Sequence, residues 1–234
     1  MTGYTESADF PLAHPLQPRL RGSSDAFLVT LQDDLDSIVF STYLGGSGND
    51  SAWGVALDPE GNPVVAGITE SDDLPVSADA FQKRRGGQAD AFLMKLDRSG
   101  QRLLLSTYYG GIGLDHAGYD GGNVGVSARG TIWMVGLTNS RDLKVPGGYH
   151  SRYGGGEQDG FLIGLSPRGK LCYGTYAGST ARALLEGLSL ADSGKVLYAV
   201  GTVIRPIEKS SPAPNPKEKY GMFVVGLDTP KNCQ

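Results

Sequence analysis

One seven-residue segment occurs four times along this chain, and this repetition constrains the fold more than any other feature. The segment reads DAFLVTL at 25–31, DAFLMKL at 90–96, DGFLIGL at 159–165 and, in a weaker form, GMFVVGL at 221–227. Its phenylalanines are spaced 65, 69 and 62 residues apart, so one repeat unit is about 65 residues long. Self-similarity at a fixed period predicts a fold in which one supersecondary unit is used several times.

Three other short segments recur in a fixed order within each unit. Each is an apolar run bounded by Gly, Asp, Pro or Asn, which is the pattern of a β-strand between tight turns. We name the four strands of a unit s1 to s4, and the segment described above is s3. Clear examples are WGVALD (53–58) for s1, AGIT (66–69) for s2, DAFLMKL (90–96) for s3 and LLLSTYYGG (103–111) for s4.

Four short strands per unit with glycine punctuation are typical of the blades of a β-propeller. A β-solenoid is the alternative, but its repeats are usually shorter, about 20–30 residues. The sequence therefore predicts an all-β fold, a β-propeller built from four-stranded blades of about 65 residues.

The number of strands indicates an incomplete ring. The chain holds s2-s3-s4, then s1-s2-s3-s4 twice, then s1-s2-s3, which amounts to 14 strands or about 3.5 blades. We interpret residues 1–234 as a single repeat domain, with a partial unit at 1–46, full units at 47–111 and 112–178, and a partial unit at 179–234. Open blades leave unpaired strand edges that favour association. We therefore expect part of a larger propeller, or one completed by a partner such as a second copy or the remainder of a parent chain.

Composition and charge narrow the class of protein. Glycine accounts for 35 of 234 residues, about twice the average, and hydrophobic residues for 39%, which is enough for a packed core. The net charge of −4 argues against a nucleic-acid partner, and no apolar stretch is long enough for a membrane-spanning helix. The two cysteines, Cys172 and Cys233, exclude a disulfide scaffold and a cysteine-only zinc site. Because they fall at equivalent positions of neighbouring blades, too far apart for a bridge, we expect free thiols.

Two long segments resemble a known repeat family. DAFLMKLDRSGQRLLLSTYYGG (90–111) and STYLGGSGNDSAWGVALDPEGNPVVAGITESDDLP (41–75) are similar to the bacterial SBBP repeat, a repeat related to seven-bladed β-propellers. The resemblance covers nearly the whole chain and weakens toward the C-terminus, where GGSGND becomes AGSTAR (177–182). It implies a β-propeller in a bacterial protein that is secreted, periplasmic or attached to the cell surface. It implies no particular reaction.

The loops that join s2 to s3 and s4 to s1 should lie on one face of the blades, and they hold most of the length variation, which often marks a binding face. GSGNDSA (46–52) becomes GIGLDHAGYDGGN (111–123), six residues longer relative to the flanking motifs. This insertion is the strongest candidate for a ligand-binding site, against the simpler interpretation of a Gly-rich surface loop. The candidate residues that it brings are Asp115, His116, Tyr119 and Asp120.

Two further residues are candidates for ligand binding. His150 lies in an s2–s3 loop, which is predicted to be on the same face as the insertion. Trp53 precedes a glycine of s1 and would stack on a sugar at the mouth of a central channel, with core packing as the simpler alternative.

Several aspartates invite a metal-binding interpretation. GGSGND (45–50) resembles one turn of a calcium-binding nonapeptide, a motif that works as several consecutive copies. Asp50 and Asp115 would supply carboxylates to a weak Ca²⁺ site, although a tight turn explains the segment more simply. No other cofactor or metal is expected. The aspartates that precede s3 recur in three units, which predicts a structural capping role for Asp25, Asp90 and Asp159.

The repeated character of the conspicuous polar residues favours a non-catalytic scaffold that presents a variable loop face to a protein or glycan partner. An alternative is a glycan-directed hydrolase or lyase, in which Asp115, His116, Asp120 and His150 would converge. A third interpretation, a purely structural spacer, predicts that no concave polar pocket exists.

Overall fold

The part of the chain that the structure, a computed structural model, describes consists of β-strands and their connections. The described residues are 1–118, 121–191, 194–206, 218–228, 230 and 233. The predicted all-β class is confirmed. The strands within these residues are β1 (Thr2–Thr5), β2 (Asp25–Leu31), β3 (Ile38–Leu44), β4 (Asp50–Leu57), β5 (Pro63–Thr69), β6 (Asp90–Leu96), β7 (Leu103–Tyr109), β8 (Asp115–Ala117), β9 (Val124–Val126), β10 (Ile132–Thr138), β11 (Asp159–Leu165), β12 (Leu171–Ala177), β13 (Arg182–Ala191), β14 (Val196–Pro206) and β15 (Glu218–Asp228).

The strands form four sheets, and all pairing within each sheet is antiparallel. Sheet I holds β1–β3, sheet II holds β4–β7, sheet III holds β8–β12 and sheet IV holds β13–β15. Each sheet follows the predicted s1-to-s4 order. The described residues contain fifteen strands rather than the predicted 14, because s1 of the third unit is divided into β8 and β9, which both pair with β10.

Two tight turns of sheet II, between β4 and β5 and between β6 and β7, are built in the same way from an aspartate and a glycine. Between β4 and β5, the Asp58 carboxylate accepts a hydrogen bond from the backbone amide of Asn62 at 2.8 Å, and Gly61 has a φ of +80°. Between β6 and β7, Asp97 and Gly100 take the same roles, with a φ of +72° at the glycine. Side chains rarely adopt this left-handed backbone, so glycine is required where the strands reverse.

Consecutive sheets pack face to face, and an apolar core lies between each pair. In sheets I to III, we call the face that packs on the following sheet the back face and the opposite face the front face. In sheet IV, the front face is the one that packs on sheet III, and the back face is the opposite one. The back face of sheet II carries Val64, Ala66 and Leu93, and the back face of sheet III carries Trp133, Val135 and Leu162. The front face of sheet II carries Val65, Phe92 and Met94. The front face of sheet III carries Met134, Phe161 and Ile163, and that of sheet IV carries Leu197 and Ala199. Alternation along each strand places these two sets on opposite faces.

A disulfide joins Cys172 to Cys233, across a sequence separation of 61 residues and a Cα–Cα distance of 5.3 Å. The prediction of free thiols is therefore wrong. It assumed that Cys233 begins an s4 strand in the fourth unit. Instead, the Cys233 carbonyl accepts a hydrogen bond from the Thr131 hydroxyl, which directly precedes β10. The C-terminal cysteine therefore lies against sheet III, within reach of β12.

Within the described residues, no helix combines the length and the apolar character that a membrane crossing requires.

Candidate functional site

The s2–s3 loops run back along s4 and are held there by the Ser-Thr-Tyr motif. In sheet II the Tyr108 hydroxyl accepts a hydrogen bond from the Leu74 amide and donates one to the Ser71 carbonyl, both at 2.9 Å. The Thr107 hydroxyl accepts a hydrogen bond from the Gln82 amide at 2.9 Å. These bonds cover the outer edge of s4, which would otherwise be open to another chain.

Sheets I and III repeat this anchoring. The Tyr43 and Tyr176 hydroxyls each donate to a loop carbonyl, at 2.6 and 3.0 Å, and Thr42 and Thr175 each accept from a loop amide. The rings of Tyr43, Tyr108 and Tyr176 are fully buried, so each tyrosine packs in the core while its hydroxyl holds the loop. Repetition at equivalent positions assigns the motif to structure.

The aspartate before s3 also has a structural task. The Asp25 carboxylate accepts hydrogen bonds from the Gln17 side chain at 2.6 Å and from the Arg21 amide at 2.9 Å. The Asp90 carboxylate accepts them from the Gln82 side chain at 2.7 Å and from a glycine amide at 2.9 Å. The predicted capping role is thus confirmed for these two residues.

Asp50 and Asp115 close the s4–s1 loops in the same manner. Each carboxylate accepts from a glycine amide at 2.8 Å and from a serine hydroxyl at 2.7 Å, with Ser71 serving Asp50 and Ser140 serving Asp115. Both aspartates are fully buried, and burial raises the pKa of both carboxyls. This arrangement favours a turn over a calcium site at either residue. Among the residues that the structure describes, no group of three or more His, Cys, Asp or Glu side chains is placed to hold a metal ion.

The insertion after Asp115 belongs to strand s1 rather than to a surface loop. In sheet II the s1 strand has a β-bulge at Trp53, between Ala52 and Gly54. The insertion in sheet III falls at the corresponding point, between β8 and β9. Its carbonyl at Gly122 accepts a hydrogen bond from the Leu188 amide of sheet IV at 2.8 Å. The insertion thus extends a bulge of the repeat and contacts the next sheet.

The candidates from the insertion fare differently. Asp115 and His116 lie in β8 and are fully buried, and burial lowers the pKa of His116. The predicted placement of these two residues in a loop is therefore wrong, because both belong to a buried strand. Tyr119 and Asp120 lie outside the described residues. Trp53 is half-buried, with its ring 5.9 Å from that of Tyr4, which is a packing contact between sheets I and II.

His150 lies in a different place, at the edge of a cavity of about 440 Å³ between sheets III and IV. We call this cavity the III–IV cleft. Tyr149 stands beside His150 with its side chain 87% exposed, and the two rings meet edge to face at 4.8 Å. Other residues that line the cleft are Leu162, Tyr173, Thr175, Ala177, Ala183, Val203 and Leu227. The cleft therefore has a mainly apolar lining, and Tyr149 and His150 add a hydroxyl group and an imidazole at its aromatic edge.

The cleft exists because the repeat changes at three positions. Ala177 takes the place of Tyr109, whose ring contacts Phe161 at 5.1 Å in the corresponding region between sheets II and III. In sheet II, Asp50 pairs across the sheet with Thr69, and in sheet III, Asp115 pairs with Thr138. In sheet IV the corresponding cross-strand pair is Ala183 with Val203. Between sheets III and IV, Ala177 thus replaces the tyrosine that fills the space between sheets II and III. The apolar pair Ala183–Val203 replaces the Asp–Thr pairs of the neighbouring sheets.

His150 is a fourth departure from the repeat. Its backbone amide donates to Thr175 at 2.9 Å, just as the Gln17 amide donates to Thr42 at 2.8 Å and the Gln82 amide to Thr107. The two glutamines use their side chains to cap an aspartate. The His150 side chain is exposed instead, and its charge interaction lowers the pKa of Asp159.

Asp159 is consequently capped less completely than Asp25 and Asp90. It is fully buried and accepts a hydrogen bond from the Gly154 amide, but its Oδ1 atom has no hydrogen-bond partner among the described residues. Burial raises the pKa of its carboxyl, which the Gly154 amide and His150 partly offset. The replacement of a glutamine by His150 therefore gives up a stabilising contact at the edge of the cleft.

The structure does not bring the candidate residues into one constellation. Among the described candidates, Asp115 and His116 are neighbours within sheet III, whereas His150 lies at the III–IV cleft, which neither of them lines. The residues that create the cleft, Ala177, Ala183 and Val203, were missed. A position-by-position comparison of the repeats shows them as departures, although small apolar residues carry no chemical signal of their own.

A scan of protein-family models and a search of curated proteins found no match to this chain.

Proposed function

We propose that this chain is a non-catalytic binding module with a β-propeller type of repeat, similar to the SBBP repeat, and that it binds an apolar segment of a protein partner in the III–IV cleft. The observation that carries the proposal is the distribution of departures from the repeat. Ala177, Ala183, Val203 and His150 all line one cavity. Ligand pockets are typically concave, mainly apolar and lined by few polar groups.

The repeated polar residues support a non-catalytic function. Asp25, Asp50, Asp90 and Asp115 all accept hydrogen bonds from their own loops. A catalytic carboxylate needs access to a substrate, and these four are fully buried. The enzyme alternative required Asp115, His116, Asp120 and His150 to converge; Asp115 and His116 are buried, and Asp120 lies outside the described residues.

The cleft chemistry favours a protein partner over a glycan. Its lining includes the aliphatic side chains of Leu162, Ala177, Ala183, Val203 and Leu227, which suit an aliphatic or aromatic side chain. A sugar ring would also need several hydrogen-bond partners for its hydroxyls. Secretion and attachment to a bacterial cell surface remain part of the proposal, and the disulfide is compatible with an oxidising compartment.

Peptide display on the full chain tests this proposal. Peptides selected from a random library are measured against the unaltered chain, against Ala177→Tyr, which restores the larger residue of the repeat, and against Val39→Tyr, a control at an exposed position of β3. We expect peptides rich in apolar and aromatic residues that bind the chain and Val39→Tyr equally. Ala177→Tyr should weaken their binding by about tenfold or more. Equal binding to all three proteins would contradict the proposal, and glycan binding that Ala177→Tyr removes would replace the protein partner by a glycan.

A further inference from the structure

The back face of sheet IV exposes a group of apolar side chains. On β14, Tyr198 and Val200 are 47% and 43% exposed, and on β15, Met222 and Val224 are 87% and 66% exposed. Val200 lies directly opposite Val224 in the antiparallel register, and Met222 lies opposite Thr202 on the same face. These side chains therefore form one contiguous apolar patch, which in soluble proteins commonly marks an interaction surface.

The equivalent positions in the preceding sheets are all buried. The cross-strand pair Val200–Val224 corresponds to Ala66–Leu93 in sheet II and to Val135–Leu162 in sheet III. Those four side chains are at most 2% exposed, because the next sheet packs on them. Likewise, Tyr198 corresponds to Val64 and to Trp133, which are both 0% exposed. The back faces of sheets I, II and III thus each form one half of an interface with the next sheet.

The complementary face at the other end of the stack is also less covered than its equivalents. Met1 precedes β1 at the front-face position that Val65 occupies in sheet II, and it is 67% exposed, against 0% for Val65. Phe27 is half-buried, whereas Phe92 and Phe161, its counterparts in sheets II and III, are fully buried. Sheet I therefore presents a front face of the type that packs on a back face elsewhere in the chain.

We propose that the back face of sheet IV docks on the front face of sheet I of a second copy of this chain. A second copy is the expected partner, because each of the three interfaces within the chain joins the back face of one sheet to the front face of the next. Two copies joined at both ends would place eight sheets in one closed arrangement, which lies within the usual range of about four to eight propeller blades. This interface is independent of any ligand in the III–IV cleft.

The mass of the full chain in solution, measured by light scattering over a series of protein concentrations, tests the proposal. We expect the mass to rise from 24.7 kDa to twice that value as the concentration increases. Val224→Asp places a charge in the centre of the patch and should hold the mass at that of one chain. Ile112→Asp is the matched control, since Ile112 is 72% exposed in a loop where sheet II has Ser47, and it should associate like the unaltered chain.

Any of three light-scattering results would overturn the proposal: a single-chain mass at every concentration, equal association of Val224→Asp, or masses that grow beyond two copies. Far-ultraviolet circular dichroism verifies that Val224→Asp remains folded. Hydrogen exchange then identifies the second surface. Head-to-tail docking predicts that Val224→Asp loses protection both in β14 and in β2, whereas a loss confined to sheet IV would show that two back faces meet and would contradict the use of sheet I. Binding of peptides to the cleft is a separate readout that this variant should leave unchanged.

Discussion

The backbone amide of His150 donates a hydrogen bond to the hydroxyl of Thr175 at 2.9 Å, and this bond places a histidine where the two preceding repeats place a glutamine. The backbone is thus conserved between units while the side chain changes its task. In the earlier units the glutamine side chain caps a buried aspartate. At His150 that cap is absent, and the III–IV cleft opens beside it.

Restoring the glutamine should stabilise the fold. In His150→Gln, the new side-chain amide can donate to Asp159, whose Oδ1 atom lacks a partner among the described residues. We expect the free energy of unfolding to increase by about 1 kcal/mol, the usual net contribution of a hydrogen bond. Urea unfolding at neutral pH measures this change.

The reverse substitution serves as the control. Gln82→His removes the 2.7 Å bond to Asp90 and should destabilise the chain by about 1–3 kcal/mol, because a buried carboxylate loses a donor. If His150→Gln and Gln82→His shift the stability in the same direction, the equivalence of the two positions is wrong.

Tyr108 should stabilise the chain through its hydroxyl as well as its ring. Tyr108→Phe leaves the buried Leu74 amide without its acceptor and should lower the free energy of unfolding by about 1–3 kcal/mol. Tyr4→Phe is the matched control at a half-exposed ring and should change it by less than about 0.5 kcal/mol. Equal effects of the two substitutions in urea unfolding would contradict the anchoring role of the Ser-Thr-Tyr motif.

The stability should depend on the protonation of Asp90. Burial raises the pKa of its carboxyl from 3.8 to about 6, while the glycine amides and Gln82 oppose the shift. The folded state therefore holds this proton more tightly than the unfolded state does. The resulting stabilisation is complete below about pH 4 and is lost as the pH rises through about 6, with a total of at most about 3 kcal/mol.

Asp90→Asn tests this pH dependence. The difference in free energy of unfolding between the unaltered chain and Asp90→Asn should move in favour of Asp90→Asn as the pH rises from about 4 to about 7. Urea unfolding at several pH values within this range measures it. A difference that stays constant with pH would show that the Asp90 carboxyl titrates alike in both states.

The disulfide should contribute substantially to stability. It closes a loop across a separation of 61 residues, which in the chain-entropy model corresponds to about 4 kcal/mol. Reduction, or the double substitution Cys172→Ser with Cys233→Ser, should lower the free energy of unfolding by about 2–5 kcal/mol. Two thiols that react in the unreduced native protein, or an unfolding midpoint unchanged by reduction, would contradict the pairing.

The sequence alone predicts the strands and their order, because the apolar runs and the Gly and Asp turns are local signals that recur in each unit. Segments such as 90–96 and 103–111 correspond closely to β6 and β7. The division of s1 into β8 and β9 was not predictable, since an insertion inside a bulge looks the same in sequence as a longer loop.

The candidate site was harder to predict than the fold. Asp115 and His116 drew attention as polar residues, yet their side chains are buried within sheet III. The cleft arises where Ala177 and Ala183 are too small or too apolar to close a junction, which depends on the sheets on both sides. Similarly, the pairing of Cys172 with Cys233 depends on the position of Cys233 against sheet III, which no local sequence signal indicates.

The most direct test of the central claim is nuclear magnetic resonance of the methyl-labelled full chain during titration with indole, an apolar ring that carries one N–H donor. Binding in the III–IV cleft predicts saturable chemical-shift changes at the methyl groups of Leu162, Ala177, Ala183, Val203 and Leu227. In Ala177→Tyr, the changes at the other four residues should be lost. Shift changes that do not saturate, that fall on other methyl groups, or that persist in Ala177→Tyr would contradict the III–IV cleft as the binding site.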